Sequence, residues 1–247
     1  MKMHVIASGS KGNASIIYND DTVILVDMGT TKTRLVQGLK EVNKKIKDIN
    51  YVFFTHEHCD HINGISFLNS DLFYCRAGTL KVPKNHELEI FKEYNFGSFK
   101  VTPLLTSHDA TSPCGYLFSD KKDSLIYLTD SGYIPESTLP YLQNKNYYFF
   151  ESNHDVEMLL NSSRPEILKK RILSDFGHLS NEQSAKYLVY AVGEQTKGIM
   201  LAHLSEECNT PEKALETYKE IFNSEGVSLM KINLTCAKQY ESEDFIK

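Results

Sequence analysis

Residues 56–61 read His56-Glu57-His58-Cys59-Asp60-His61 and follow the apolar run Tyr51-Val52-Phe53-Phe54. Three imidazoles and an aspartate fall within six positions, in a chain that holds nine histidines in all. Imidazole and carboxylate are the side chains that zinc and similar divalent ions prefer. A strand end followed by a loop lets such ligands converge on a shared point. The hexapeptide therefore predicts a metal site, and a chance polar cluster on a surface turn is the alternative.

The spacing inside this hexapeptide fits two ions. His56 and His58 are two positions apart, so in an extended segment their side chains point to the same side. Asp60 and His61 follow where the chain begins to turn, so they can point elsewhere. We therefore expect one ion at the first pair and a second ion at the other pair. Two ions about 3.5–4 Å apart stabilise a phosphoryl or acyl centre and activate water near neutral pH.

The composition is that of a globular chain without a membrane or secretion signal. Hydrophobic residues make up 41% of the 247 positions and charged residues 24%, which is enough for a core. No run of about 18 apolar residues occurs, and the apolar stretch at the N-terminus is too short for a signal peptide. The five cysteines are scattered and do not resemble a disulfide framework. We expect a cytoplasmic, reduced protein that does not contact membranes.

The formal net charge of −5 does not indicate nucleic-acid binding, for which a basic surface is normally expected. The short basic runs at residues 44–47 and 169–171 fit a solvated face better than a phosphate track. Two bound divalent ions would add local positive charge that the formal count omits. The charge therefore leaves nucleic acid open as a partner.

Apolar patterns and turn residues predict strands followed by helices, twice along the chain. A capping box at Ser180 and Gln183, and Pro211 after Thr210, mark the starts of two later helices. Strands are predicted at residues 2–8, 15–18, 23–26, 51–55, 100–106, 115–119, 124–129, 146–151 and 197–201, and helices at residues 31–39, 155–161, 165–173, 180–191 and 210–222. Two sheets packed face to face with helices outside would satisfy this order, which is an α+β fold.

Further polar residues stand where apolar strands end. His108 follows the strand at 100–106, Asp130 follows that at 124–129, His203 follows that at 197–201, and Asp27 follows that at 23–26. A single strand-end aspartate is usually a turn former or a helix N-cap, and a single histidine is usually a surface residue. Together with the hexapeptide, however, they form a pattern that indicates one metal cluster.

This pattern, His56-x-His58-x-Asp60-His61 followed by His108, Asp130 and His203, resembles the ligand set of the metallo-β-lactamase-fold hydrolases. The resemblance spans nearly the whole chain. It implies a four-layer αββα sandwich, formed as one domain over residues 1–247 without an inserted domain, with a dinuclear site at one edge of the sheets. It implies His56, His58 and His108 on one ion and Asp60, His61 and His203 on the other. Asp130 would bridge the ions, and Asp27 would support a ligand imidazole.

Two further likenesses narrow the class of hydrolase. Redox members of the fold with two irons carry glutamate where His58 stands, so His58 favours hydrolysis. Four stretches, at residues 8–13, 151–155, 177–181 and 203–209, resemble the bacterial YycJ/WalJ family, which implies a 5′→3′ DNA exonuclease. One departure is Cys59, where that family usually has serine. We expect Cys59 to point away from the site, because its neighbours already complete the ligand set.

His178 precedes the N-cap Ser180 in a Gly-His-x-Ser pattern that also resembles ribonuclease Z. There the matching histidine is linked to a strand-end glutamate, which is Glu151 here. A histidine held by a carboxylate can protonate a leaving oxygen, and one positioned acid accelerates such a step by roughly 10²–10⁴-fold. Phosphodiester cleavage needs this acid more than β-lactam or thioester hydrolysis does. A surface histidine at a helix terminus is the alternative.

Substrate contacts are predicted at four residues. The stretch at residues 8–13 is either a cradle of backbone N–H groups for a phosphate, with Ser10, Lys11 and Asn13 as contacts, or a tight turn between strands. Tyr133 is either a stacking partner for a base or an ordinary packing residue.

The expected function is phosphodiester hydrolysis by His178, Glu151 and Asp60 with two divalent ions, which are zinc, manganese or iron. DNA is the expected substrate, in DNA processing or repair. A small-molecule hydrolase, such as a cyclic phosphodiesterase or thioesterase, is the alternative among enzymes. A regulatory protein that keeps the metal site without the chemistry is the alternative of another class.

Overall fold

The computed structural model describes residues 1–247 and contains two seven-stranded sheets. The strands, in chain order, are β1 (Lys2–Ala7), β2 (Ala14–Tyr18), β3 (Val23–Val26), β4 (Tyr51–Phe53), β5 (Phe73–Arg76), β6 (Glu87–Leu88), β7 (Tyr94–Phe96), β8 (Phe99–Leu105), β9 (Cys114–Ser119), β10 (Ser124–Leu128), β11 (Tyr147–Glu151), β12 (Gly198–Ala202), β13 (Asn233–Cys236) and β14 (Glu243–Ile246). The helices are α1 (Lys32–Glu41), α2 (Cys59–Ile62), α3 (Leu139–Leu142), α4 (Val156–Asn161), α5 (Glu166–Ile172), α6 (Asn181–Ala191) and α7 (Pro211–Ser224).

The strand directions bring the loops that carry the predicted site residues to the same end of the strands within each sheet. The first sheet has the order β14-β1-β2-β3-β4-β5-β6 and the second β13-β12-β11-β10-β9-β8-β7. In the first sheet β3 runs parallel to β4, and in the second β10, β11 and β12 run parallel to one another. β8 shares the direction of β10, because each is antiparallel to β9. The carboxyl ends of these strands, after which the predicted site residues follow, therefore lie together within each sheet.

Alternation along the strands sorts the side chains into layers. In β3, Ile24 and Val26 belong to a cluster of 21 buried residues that also takes in Tyr127 and Met200 of the second sheet. This cluster is the interface between the sheets. On the outer face of the first sheet, Leu25 belongs to a second cluster that includes residues of α1.

The outer face of the second sheet is covered by α6 and α7. Phe150 of β11 and Leu201 of β12 join Leu188 of α6 and Tyr218 of α7 in one buried cluster. The order of layers is therefore helix, sheet, sheet, helix, and the predicted αββα sandwich is confirmed. No helix is long and apolar enough to cross a membrane.

The predicted elements are present with small shifts of their ends, and the differences are confined to short segments. The strand predicted at residues 51–55 ends at Phe53, because the chain turns toward the site there. The structure adds strands β5, β6, β7, β13 and β14 and helices α2 and α3, which the sequence pattern did not predict. β14 pairs antiparallel with β1, so the two ends of the chain share one sheet.

Candidate active site

The hexapeptide leaves the first sheet and enters a short helix. His56 follows the end of β4, His58 takes an extended conformation as the N-cap of α2, and Asp60 and His61 lie in α2 itself. The change from extended chain to helix turns the second pair away from the first, as the spacing predicted. The loop after β3 packs against this helix so closely that a Cβ atom at Gly29 would lie 1.5 Å from the carbonyl oxygen of Asp60. Only glycine fits there.

The predicted ligands come together in the predicted groups. Ring nitrogens of His56, His58 and His108 all lie within 4.8 Å of one another. The ligand atoms of Asp60, His61 and His203 form a second group and also lie within 4.8 Å of one another. The side chains thus form two neighbouring groups with the donor atoms that a metal ion needs, one of three imidazoles and one of two imidazoles and a carboxylate.

Asp130 contacts two histidines of the second group and also lies near His56 of the first. One oxygen, Oδ2, is 3.2 Å from Nε2 of His61, and the other, Oδ1, is 3.2 Å from Nδ1 of His203. Asp130 also forms a ligand group with His56 and His61. A carboxylate in this position can contact ions on both sides, as a bridging ligand must.

Unpaired atoms at the centre fit metal ions. His56 Nε2, His203 Nε2 and Asp130 Oδ2 are buried without a partner in hydrogen-bond geometry, although Nε2 of His61 lies 3.2 Å from Asp130 Oδ2. Buried polar atoms are nearly always paired, because an unpaired one costs about 1–3 kcal/mol. All three are nitrogen or oxygen donors that divalent ions bind, so the residues present suit the metal centre that the sequence predicts.

Three site residues adopt the left-handed backbone conformation that residues other than glycine rarely take. The φ angles are +57° at Asp27, +58° at Asp130 and +56° at His203, each one or two residues after a strand ends. Such residues cost of order 1–3 kcal/mol and persist only where the surroundings hold them. Three further residues with positive φ, Asn43, Phe91 and Asn144, lie outside the site, so the conformation accompanies the sharp turns after these strands and does not by itself mark the site.

Asp27 fixes the orientation of a ligand. It is fully buried. Its Oδ2 lies 2.8 Å from Nδ1 of His61 and accepts a hydrogen bond of 2.9 Å from the hydroxyl of Thr55. Thr55 also donates its backbone N–H to Asp27 Oδ1 at 2.9 Å. A carboxylate at Nδ1 keeps the proton there and directs the lone pair to Nε2 of His61, the nitrogen that would bind an ion and that lies 3.0 Å from the amide of Asn13. The bracing role of Thr55 was not predicted, although it directly precedes the hexapeptide.

The carboxylates of the site set its charge. Burial alone would lower the pKa of His203, but the carboxylates around it, led by Asp130, outweigh this effect and raise the pKa to about 10. A metal ligand must be a neutral imidazole, so an ion that binds at His203 replaces this proton. Burial, the largest effect at His56, holds the pKa of that imidazole well below its usual range, which keeps it neutral.

His178 and Glu151 form a pair beside the ligand groups. Nδ1 of His178 lies 2.8 Å from Oε1 of Glu151, which is completely buried at the end of β11. Burial alone would raise the pKa of Glu151, but the imidazole of His178 outweighs that effect and lowers the pKa to about 2. The ring of His178 lies between those of His108 and His203, with centroid distances of 5.0 Å and 5.2 Å. The pairing of His178 with Glu151 is therefore present next to both ligand groups.

A second brace holds His108 and was not predicted from the sequence. His108 donates from Nδ1 to the carbonyl of Gly177 at 3.0 Å, which leaves Nε2 facing Nδ1 of His58 at 3.3 Å. The next residue, Asp109, is paired with Arg171 at 2.5 Å. These contacts tie the loop that carries His108 to α5 and to the loop that carries His178.

The four predicted substrate contacts have different surroundings. Ser10 and Lys11 are exposed at the tip of the turn between β1 and β2, and Tyr133 is also exposed. Asn13 is buried, and its amide contacts Gly9, Asp60 and His61 within the protein. Asn13 therefore braces the turn and two ligands, and its contact with substrate stays a prediction, as do the other three. The stretch at residues 8–13 forms a tight turn between the strands, in which Gly12 donates its N–H to the carbonyl of Gly9 at 2.9 Å. The cradle of N–H groups for a phosphate stays a prediction.

Cys59 is exposed at the start of α2. It belongs to none of the groups of ligand atoms, in agreement with the expectation that it points away from the site.

Comparisons with known proteins agree with this geometry. Residues 22–200 match the model of the beta-lactamase superfamily domain. The chain is 37% identical over 229 residues to exodeoxyribonuclease WalJ of Streptococcus pneumoniae, covering 86% of this chain and 85% of that protein. It is 33% identical over 235 residues to exodeoxyribonuclease YycJ of Bacillus anthracis, covering 90% and 89%.

A solved structure shows the same fold. The metallo-beta-lactamase fold protein YhfI from Bacillus subtilis superposes with a TM-score of 0.71 at 18% identity, covering 99% of this chain and 100% of that one. Fold, ligand groups and sequence relatives therefore agree: the chain is a metal-dependent hydrolase of the beta-lactamase superfamily and belongs, within it, to the WalJ/YycJ family.

Proposed function

We propose that this protein is a 5′→3′ exodeoxyribonuclease that uses two divalent ions, zinc, manganese or iron, and acts in DNA processing or repair. Two relatives that are named exodeoxyribonuclease are 37% and 33% identical to this chain, and the similarity covers most of their length. The observation that carries the proposal is the pairing of His178 with Glu151 at 2.8 Å, beside both groups of ligand atoms. This pair supplies the proton donor that a phosphodiester needs and that β-lactam and thioester bonds need less.

Each residue then has a distinct task. Divalent ions bound at the two groups would activate water near neutral pH and stabilise negative charge on the phosphate oxygens. Asp60 and Asp130 place carboxylate oxygens at the centre, where they orient the attacking water. His178 donates a proton to the leaving 3′-oxygen of the terminal nucleotide, and the phosphate stays on the 5′-oxygen of the shortened strand, where it becomes the 5′-phosphate of the next nucleotide released. Glu151 stabilises the positive charge on His178 and fixes its orientation.

A time course on end-labelled DNA and RNA, with zinc or with manganese, tests the substrate, the polarity and the product together. We expect single nucleotides with a 5′-phosphate to be released in order from the 5′ end of DNA. Release from the 3′ end would contradict the proposed polarity. Hydrolysis of cyclic nucleotides or thioesters alone, without DNA cleavage, would contradict the nuclease and favour a small-molecule hydrolase.

The variant His178→Ala tests the proton donor. We expect the turnover number to fall by roughly 10²–10⁴-fold while the metal content per chain stays at the wild-type value. His86→Ala is a matched control, because His86 stacks on Tyr74 outside the ligand groups. Loss of bound metal in His178→Ala would instead identify His178 as a ligand, which the group of Asp130, Glu151, His178 and His203 also permits.

A further inference from the structure

Two aromatic side chains stand exposed on loops beside the site. Tyr133 is 40% exposed and Phe176 is 60% exposed, whereas most large apolar side chains of the protein are buried. Neither belongs to any of the four hydrophobic clusters, so neither contributes to the core. Exposed aromatic side chains beside a site are available to stack on a base, as the aromatic side chains of single-strand binders do.

Both aromatic residues are close in sequence to residues of the site. Tyr133 is three residues after Asp130, and Phe176 is two residues before His178. The two loops touch, since a Cβ atom at Gly132 would lie 2.4 Å from the backbone of Asp175. The backbone segments that carry the two aromatic residues therefore lie side by side, next to the loops of Asp130 and His178.

Hydrogen bonds hold both loops to the segment that carries His108. Gly132 donates its N–H to the carbonyl of Ser107 at 2.8 Å, and Asp109 donates its N–H to the carbonyl of Phe176 at 3.2 Å. The Oγ of Ser131 donates to the carbonyl of Tyr133 at 2.6 Å. The backbones that carry the rings are thus fixed relative to the ligands. A fixed ring binds a flat partner with a smaller entropy cost than a ring on a mobile loop.

We propose that Tyr133 and Phe176 form a stacking platform for the bases of an unpaired DNA strand that enters the site. The inference rests on the proposed nuclease function and specifies its substrate as a single-stranded end. Bases have apolar faces that stack on aromatic rings whatever their sequence, so the platform suits a nuclease without sequence preference. Bases inside a blunt duplex are already stacked on their neighbours and leave no face for the rings.

Binding measurements on alanine variants test the platform. The probe is a fluorescent, phosphorothioate-linked single-stranded oligonucleotide, whose Kd is measured by anisotropy at fixed salt. We expect Tyr133→Ala and Phe176→Ala each to raise Kd about 5- to 150-fold. Tyr133→Phe and Phe176→Tyr keep a ring and should bind as the wild type does. Tyr190→Ala is the matched control, because Tyr190 is 71% exposed on α6 and lies outside the two loops.

The outcomes separate this inference from the proposed function. If wild-type protein cleaves DNA but both alanine variants bind the single strand as tightly as Tyr190→Ala does, the platform is wrong and the nuclease stands. Equal weakening on a blunt duplex would also overturn the platform, because stacking acts on unpaired bases. If wild-type protein cleaves no DNA, the proposed function itself fails, and this inference fails with it.

Discussion

Asp27 is the residue on which the geometry of the second ligand group depends. Its carboxylate accepts from Nδ1 of His61 and from both the N–H and the hydroxyl of Thr55, in a position without solvent. Partners of this kind orient the imidazole and strengthen its bond to an ion. The carboxylate is buried, so water cannot replace it.

The variant Asp27→Asn tests this dependence. Asparagine tolerates the positive φ of this position, so the substitution changes the charge and one acceptor without straining the backbone. We expect metal affinity to fall by roughly 10–100-fold, because an amide NH₂ would face the N–H of His61. Competition with a chromophoric chelator measures the affinity, and Asp21→Asn, at an exposed turn, is the control. Unchanged affinity in Asp27→Asn would show that His61 does not need the carboxylate.

For single residues, the sequence predicts the metal-binding side chains, whose chemistry is distinctive. It does not predict residues whose role is to hold a ligand in position. The hexapeptide and the strand-end residues His108, Asp130 and His203 stand out because imidazole and carboxylate recur at strand ends. The braces do not, because a threonine such as Thr55 or the carbonyl of Gly177 has no chemical signature in a sequence. Their roles appear only when the loops are brought together in space.

The N-terminus of α6 is the element next to His178, the proposed proton donor. Ser180 accepts from the N–H of Gln183 at 3.2 Å, and the side chain of Gln183 accepts from the N–H of Ser180 at 3.0 Å. Leu179, between this cap and His178, donates its N–H to Glu151 at 3.1 Å. Leu179 and Ser180 thus connect the start of α6 to the pair of His178 and Glu151.

Comparing two cap variants separates stability from positioning. Ser180→Ala and Thr210→Ala each remove one capping bond, since Thr210 accepts from the N–H of Lys213 at 3.1 Å at the start of α7. Each should lower the free energy of unfolding by about 1 kcal/mol, measured by urea denaturation. Only Ser180→Ala should also lower the turnover number on DNA. Equal turnover in the two variants would show that the cap of α6 does not influence His178.

Elements with strong periodicity were predicted, and elements defined by their partners were not. The capping box at Ser180 and the strand over Val23–Val26 are confirmed at the predicted residues. β6 has two residues and β7 three, too few for alternation to be visible. The last strand, β14, pairs with the free edge of β1. The local sequence of residues 243–246 does not predict this strand, because its partner lies at the other end of the chain.

The two sheets contribute to one inner cluster, so the molecule should behave as a unit. Residues of β1 and β14 join those of β11 and β12 in this cluster of 21 buried side chains. The proposed single domain over residues 1–247 therefore predicts one cooperative unfolding transition that circular dichroism and tyrosine fluorescence report at the same denaturant concentration. Two separate transitions would indicate two independent units.

Metal ions should stabilise the whole molecule, because their ligands come from both sheets. His56 follows β4 of the first sheet, and His203 follows β12 of the second, so ions at the site connect the sheet edges. One ion that binds only the folded state at a concentration about 100 times its Kd adds about 2.7 kcal/mol. For a chain of this length each such ion raises Tm by about 5–11 °C. We expect Tm to fall by at least the amount for one ion after dialysis against a chelator and to recover on adding back about two ions per chain. In His56→Ala the recovery should be smaller and need a higher ion concentration, whereas an unchanged Tm in the chelated wild type would contradict a metal centre that links the sheets.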